Sequence, residues 1–470
     1  MQLNNFGKNI SFEPKFIYAP ESEREVLELL SRHRGQKIRV VGRLHSWSRT
    51  IVGDGVVLDL QKLNEVRVEQ RGGHLWAIIG AGAQLKHVIR VLESQHGLTL
   101  PSLGLISEQT IVGASATGTH GSGKHSLSHY IDEVRLAHYD PSTGEPVIRC
   151  INEGDELRAA RCSLGCLGVV LSVAICCRPQ YRLEQHFRLT NKLSQVIESE
   201  VDYPQQQFYL LPYRWDYLIQ HRKETQGRIS WLTTVHRIYW YLIIDVALHV
   251  VLIALRCWLR SNWLIRPFFK YVVPIAVVRG WKVVDKSQNL LTMEHEMFRH
   301  IEVEIFIERQ HLPAALDFIT QLLRYLDGDQ HAIEQSTWDT LTPLGLDSAL
   351  KASGKYTHHY PICVRKVLSD DCLISMASGS EESYYAISFI SYDRPSERAA
   401  FFAFADLLLA TTSRLWNARP HWGKYCPIGA VHANRLYPRL ARFNSICRSL
   451  DPNQAFNNDW ADSFVAPRCE

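Results

Sequence analysis

Residues 114–123 read Ala-Ser-Ala-Thr-Gly-Thr-His-Gly-Ser-Gly, a stretch too small and polar to build a core and well suited to wrapping an anion. Without a Cβ, Gly118, Gly121 and Gly123 let backbone N–H groups close on a ligand that larger side chains would hold off. Taken alone, the stretch also reads as a solvated Gly/Ser loop. A second loop narrows the choice. The apolar run Ile38 to Val41 ends in Gly42-Arg43-Leu44-His45-Ser46, which places a histidine and small polar groups at a strand end. Gly80-Ala81-Gly82 and Leu164-Gly165-Cys166-Leu167-Gly168 follow the same pattern. Together these loops predict one extended ligand containing a pyrophosphate.

A chain of 470 residues exceeds what one hydrophobic core supports, so two domains are expected. An apolar fraction of 46% and a charged fraction of 21% belong to an ordinary globular protein and exclude disorder. Lys and Arg number 52 against 48 Asp and Glu, too small a surplus for a nucleic-acid-binding face. The eleven cysteines are an odd number, and Cys176-Cys177 sits in apolar strand-like sequence. That pattern suits reduced thiols in a cytosolic setting rather than a secreted disulfide framework. No Cys/His spacing matches a zinc site, so no metal is expected. Met1 to Asn9 is polar and lacks an apolar core of signal-peptide length, so secretion by that route is not expected.

Ile238 to Leu255 is an eighteen-residue, mostly apolar run interrupted by Asp245 and His249. Trp240 and Tyr241 stand near one end, and Arg256, Trp258 and Arg260 at the other. Three readings fit. A spanning helix would be at the lower limit of length, with Asp245 costly at mid-bilayer. A monotopic or peripheral helix would lie along a membrane surface. A helix of a substrate domain would be buried. The basic, aromatic stretch Trp258 to Lys270 favours a membrane surface over a dry core. The expected location is therefore cytoplasmic, or attached peripherally or integrally to a membrane.

Along the chain, Glu21 to His33 predicts a helix and Lys37 to Val41 a strand, a βαβ-like opening. Strands are predicted at Val56 to Leu60, Val66 to Gln70 and Trp76 to Gly80, and a helix over Gln84 to His96 closed by Gly97. The first domain is expected to close near Arg178-Pro179, where a β-branched run meets proline. A strand is predicted at Ile301 to Ile307.

VVGRLHS (40–46), GAGAQLKHVI, GLTLPSLGLISEQTIVGASATGTHGSG, SLGCLGVVLSV, RPHWGK and LYPRLARFNSICRSLDPNQAF occur in the order found in the sugar-1,4-lactone oxidases. The chain resembles that family, which includes L-gulonolactone and D-arabinonolactone oxidases within the vanillyl-alcohol-oxidase group of FAD enzymes. The resemblance covers almost the whole chain and is weakest from about 185 to 355. It implies an α+β fold: a two-subdomain FAD-binding domain (1–180), an α+β cap domain for substrate (181–415) carrying the apolar segment 238–278, and a C-terminal return (416–470) to the FAD domain. It implies an FAD-dependent oxidation of a CH–OH group of a sugar lactone, polyol or related alcohol to a carbonyl by hydride transfer to flavin N(5). Oxygen or another electron acceptor would be the second partner.

The resemblance assigns cofactor binding to Gly42, Arg43, Leu44, His45, Ser46, Ser107, Gly113, Ala116, Thr117, Gly118, Thr119, His120, Gly121, Ser122, Gly168, Val169 and Lys424. In the family the histidine of the HS pair bonds covalently to the flavin; as a loop residue, His45 reads equally as a hydrogen-bonded structural group. Arg43 and Leu44 stand where glycines are frequent, which makes the turn less permissive. Lys424, after the Trp-Gly turn of the HWxK pattern, would stabilise negative charge on the reduced ring.

The candidate catalytic residues are Arg365, Lys424 and Cys363. The family presents Glu-x-Arg toward the flavin, whereas His359-Tyr360-Pro361-Ile362-Cys363-Val364-Arg365 keeps the arginine and replaces the carboxylate with cysteine. Cys363 reads as a packed strand residue or as a reactive thiol. Losing the carboxylate predicts a substrate with fewer hydroxyls or another orientation. Glu302 and Glu304, two apart on one strand face, are placed to supply an acceptor, and with His421 they complete the candidate substrate-binding set. A non-sugar alcohol or an amine, including an amphiphile delivered by Ile238 to Lys270, is the rival substrate; a membrane-associated flavin-binding protein without turnover is the rival of another class.

Overall fold

The computed structural model describes residues 1–229, 231–259, 262–293 and 298–465; Arg260 and Cys469 lie outside them. The opening is as its pattern predicts. Phe16–Tyr18 (β1), helix Glu23–Arg32 (α1), Ile38–Val41 (β2) and Val56–Asp59 (β3) form a parallel sheet in the order β1-β3-β2. The Ser22 hydroxyl accepts the Glu25 N–H at 3.2 Å while the Glu25 carboxylate accepts the Glu21 N–H at 2.7 Å, which fixes the start of α1. An antiparallel sheet follows, built from Val66–Arg71 (β4), His74–Gly80 (β5), Ile131–Tyr139 (β6), Pro146–Ile151 (β7) and Val169–Cys176 (β8) in the order β7-β6-β8-β5-β4. Leu85–His96 (α2) ends on Gly97, whose φ of 63° supplies the left-handed cap. The loop helix Ile111–Ser115 (α3) begins the glycine-rich stretch.

The second sheet is larger. Arg182–Thr190 (β9), Gln207–Leu210 (β10), Tyr217–Thr225 (β11), Val283–Lys286 (β12), Ile301–Glu308 (β13), Ile362–Leu368 (β14), Ser383–Ser391 (β15) and Arg419–Pro420 (β16) pair antiparallel in the order β12-β9-β11-β10-β14-β15-β13-β16. Alternation sorts its side chains. Ile301, Val303, Ile305 and Ile307 of β13, with Ile362 and Val364 of β14, pack against the helices Leu312–Leu326 and Ala399–Trp416. The residues between them face the other way.

That other face has three zones. At one end Phe306, Val367 and Ala386 join the core built on the first antiparallel sheet. In the middle stand Glu304, Arg365 and Ser388, and beyond them Phe187, Leu218 and Tyr392 pack on two helices, Trp231–Trp258 and 262–276. The C-terminal segment closes the assembly, with Phe456 in the core beneath the parallel sheet. Buried Arg39 of β2 ties it there, donating to the carbonyls of Phe456 (3.1 Å) and Leu164 and to the Thr50 hydroxyl (2.8 Å).

Candidate active site

A cavity of about 670 Å³ runs from the glycine-bearing loops, past the polar zone of the large sheet, to the two apolar helices. Its first arm is lined by Gly42, Arg43, Leu44, His45 and Ser46, by Ala81 and Gly82, by Gly113, Ala116, Thr117, Thr119 and His120, and by Ser163 to Gly165 and Gly168. The amides of Arg43, Leu44 and Ser46 have no protein acceptor among the described residues, so the loop retains donors for an anionic ligand. Leu44 holds a φ of +54°: the turn keeps a left-handed shape although a leucine occupies it, a conformation costing about 1 kcal/mol. The half-buried His45 ring stacks on Phe6 with centroids 5.0 Å apart. These features fit an extended dinucleotide such as FAD.

Five residues assigned to the cofactor lie behind this wall. The Ser107 hydroxyl donates to the Met293 carbonyl at 3.0 Å, that of Ser122 to the Gln206 carbonyl, and Val169 is buried in β8. A Cβ on Gly118 would meet Met376 and one on Gly121 the Leu103 carbonyl. Gly123 is the extreme case: with φ +73°, its Cβ would stand 1.7 Å from the Pro204 carbonyl oxygen. Those glycines let the loop press against its surroundings while its small neighbours meet the cavity.

His120 joins the second zone. Glu304, fully buried, accepts the Ser388 hydroxyl at 2.6 Å and faces His120 Nε2 at 3.5 Å and His421 Nε2 at 3.9 Å. Burial would raise its carboxyl, but His120, His421 and Lys424 hold it well below the usual range. His421 is pushed down to about 3 by burial, Glu304 opposing. Its Nδ1 accepts the Gly423 N–H at 2.9 Å, so Nε2 carries the hydrogen that points at Glu304. His120 is arranged oppositely: Nδ1 lies 2.9 Å from the Gly121 carbonyl and donates to it, leaving Nε2 as the lone pair. The three ligand atoms converge within 4.8 Å, but the protonated Nε2 of His421 removes one of them from a metal-binding set.

Next to this group, Lys424 Nζ pairs with the Glu302 carboxylate and lies 4.6 Å from the Trp47 ring centroid. Register places Glu304 opposite Ser388 and Ser388 opposite Cys363, so the carboxylate absent at 363 stands two strands away, about 10 Å. Cys363 is a buried wall residue whose thiol burial pushes up, so it is no thiolate. Arg365 Nε donates to Gln207 at 3.0 Å, and its Nη atoms have no protein acceptor among the described residues. Burial works against its charge, but Cys363, Glu304, Tyr209 and Glu302 around it raise its pKa.

Sequence reasoning missed the floor beside Arg365. Gln207 donates to Gln220 and Gln220 to Gln185, at 2.6 and 2.8 Å, and Arg222 Nε also reaches Gln185 at 2.8 Å. Four polar side chains on three adjacent strands point into one cavity; Gln185, a lone polar residue in the otherwise apolar alternation Leu183, Phe187, Leu189, was the available signal. In the third zone the lining turns apolar, through Trp240, Ile244, Leu248 and Leu252 of one helix and Phe268 and Val273 of the other. His236, Arg237, Asp245 and His249 of the first helix are the polar exceptions there.

A family model described as D-arabinono-1,4-lactone oxidase matches residues 173–464, and one described as an FAD-binding domain matches 14–142. The chain is 48% identical to a long-chain alcohol oxidase from an uncultured marine euryarchaeote, over 99% of this chain and 97% of that one. It is 26% identical to L-gulonolactone oxidase of Mus musculus over 98% of each chain. A crystal structure of cholesterol oxidase from Brevibacterium sterolicum superposes with a TM-score of 0.74 at 14% identity, covering 99% of this chain and 96% of that one, a likeness of fold.

A carboxylate whose folded pKa is depressed contributes stability above its unfolded value, about 4.3 for Glu, and loses it as pH falls through the folded value. Glu304→Gln should therefore be less stable than the parent near pH 7, with the gap closing as pH falls below about 4. Thermal unfolding of both proteins across pH reads this; a gap independent of pH would mean that Glu304 is not held ionised.

Proposed function

The chain belongs to the D-arabinono-1,4-lactone oxidase family, and we propose that its substrate within that family is a long-chain, lipid-like alcohol. It is an FAD-dependent oxidoreductase that oxidises a CH–OH group, with oxygen or another electron acceptor as second partner. One observation carries the substrate reading: beyond Arg365 and Glu304 the cavity continues into a mainly apolar arm walled by Trp240, Ile244, Leu248 and Leu252, which offers a sugar's several hydroxyls few partners. Cys363, in place of a carboxylate that would hold a second hydroxyl, supports the same reading, as does the name of the relative at 48% identity.

Bound FAD supplies the acceptor for the hydride removed from the alcohol carbon. The loops 42–46 and 113–120 would hold it, with His45 the residue for a covalent bond, and Lys424, paired with Glu302, would be the cation toward its ring. The chain's own residues handle the hydroxyl. His120 Nε2 takes its proton, and Glu304, ionised at 3.5 Å, stabilises the resulting imidazolium. Glu304 is too weakly basic to take that proton itself. The unengaged Nη groups of Arg365 steady negative charge developing on the substrate oxygen. A flavin-binding protein without turnover would need neither group. Such an enzyme works where its substrate resides, at a membrane surface.

A panel of 1-alkanols, L-gulono-1,4-lactone, polyols and amines, scored by bleaching of the flavin absorbance, tests the substrate. Long alkanols should bleach it and the lactone should not; efficient lactone oxidation would refute the reading. Cys363→Glu should improve the lactone reaction by about tenfold or more, the worth of one charge-assisted hydrogen bond, and slow alkanol oxidation. His120→Gln should cut the alkanol rate per bound flavin by about 100-fold or more, the usual yield of a positioned base; an unaltered rate would remove His120 from proton transfer. After acid precipitation the flavin should stay on the parent polypeptide and leave His45→Ala; a colourless parent pellet would exclude the covalent bond.

A further inference from the structure

We propose that the outer face of the helices 231–258 and 262–276 docks on the anionic leaflet of a lipid bilayer, and that substrate passes from that leaflet across this one-helix wall into the cavity. The proposal deepens the lipid-alcohol reading and rests on it for the loading step, while the docking surface stands on its own observations.

Sixteen of the twenty-three exposed large hydrophobic residues described fall between 231 and 278. Among them Trp231, Trp258, Trp263 and Ile275 are 75%, 73%, 73% and 76% exposed. A soluble surface rarely gathers so much apolar area in one place, and such patches mark interfaces. Tryptophans at both ends of the hairpin suit the water–lipid boundary. Charge selects the occupant. Segment 231–278 contains a single acidic residue, Asp245, and Asp245 lines the cavity. Around the patch the exposed Arg228, Lys270 and Arg279 have no carboxylate partner among the described residues, as an anionic headgroup layer would require.

The helix is not a span. Leu252, Ile265, Phe268, Phe269, Val273 and Val277 bury against Phe187, Leu211 and Leu218 of the large sheet, so the hairpin lies along the protein with one face on it. Helical spacing separates the two faces. Trp240, Ile244, Leu248 and Leu252, each four residues apart, face the cavity, whereas Ile238, Leu242, Val250 and Val251 are exposed. A single layer of side chains thus divides the cavity from the face given to lipid, and an alkyl chain moving between the two never enters water.

The test uses the full-length flavoprotein and a variant carrying Ile238→Glu, Val250→Glu and Trp263→Glu, three outward residues that do not line the cavity. The parent should float with vesicles of phosphatidylcholine and phosphatidylglycerol, float less with phosphatidylcholine alone, and be released by alkaline carbonate; the variant should stay at the bottom of the gradient. On 1-hexadecanol embedded in the vesicles the variant should be at least tenfold slower, with an unchanged rate on dissolved 1-hexanol. A parent that does not float, or that instead forms a dimer through this face, overturns the docking surface. Resistance to carbonate overturns the peripheral placement, and an equal rate of the variant on vesicle-borne hexadecanol overturns the loading route. A parent that floats yet oxidises neither alcohol leaves the docking surface standing and refutes the lipid-alcohol reading together with the loading step that depends on it.

Discussion

Two carboxylates cannot be buried side by side without countercharge, and Glu302 and Glu304 on β13 impose that constraint on the whole molecule. Glu302 is met by Lys424, and Glu304 by Ser388, His120 and His421. Lys424 and His421 come from the segment after the helix Ala399–Trp416, His120 from the glycine-rich loop, and Ser388 from the neighbouring strand. The charges are neutralised only when these parts have closed on one point. Stripping one partner from such a pair costs about 3 to 5 kcal/mol, so the knot that serves the chemistry also fixes the relation of loop, sheet and tail.

From that knot the cavity takes its polarity. The large sheet presents a single face to three surroundings in turn: the core of the first antiparallel sheet, the polar centre and the apolar hairpin. Strand alternation keeps that face apart from the one that packs on the helices behind, and a slip of one residue would exchange them. An amphiphilic site is thus made by changing residue type along the strands, as at Gln185 and Phe187 or Gln207 and Tyr209, without any change in backbone.

The local parts of this arrangement were legible in the sequence. Helices and strands at 21–33, 37–41, 56–60, 66–70, 76–80, 84–96 and 301–307 follow from periodicity and caps, and the structure places them within a few residues. The stretches 42–46 and 114–123 were legible as loops because runs of small polar residues make a poor core. Pairings over long separations were not. Nothing near His120 announces that its partner is Glu304, 184 positions later, and nothing in the alternation of β10 says that Gln207 will brace Arg365. Gly118, Gly121 and Gly123 look like cradle residues, but a glycine needed for packing and one needed for a phosphate are the same letter. The segment 238–255 was ambiguous for a related reason: composition reports that a helix avoids water without saying what it meets.

What it meets explains why it is apolar nearly all round, a pattern that ordinarily means a core or spanning helix. One face lies on the sheet and the cavity, and the opposite face is open. Asp245 and His249, four residues apart, fall on the cavity side, and His249 Nε2 lies 3.2 Å from the Tyr360 hydroxyl, three residues before Cys363. The hairpin is therefore pinned to the start of β14 by a polar contact and to the rest of the sheet by packing. This division suits the two ends of an amphiphile. Burial of an alkyl chain is non-directional and worth about 0.8 kcal/mol per methylene, so a plain apolar wall suffices for it. A hydroxyl that must lose both a proton and a hydride needs donors and acceptors in fixed places, and those places are set by the charge-balanced strands at the far end of the same cavity.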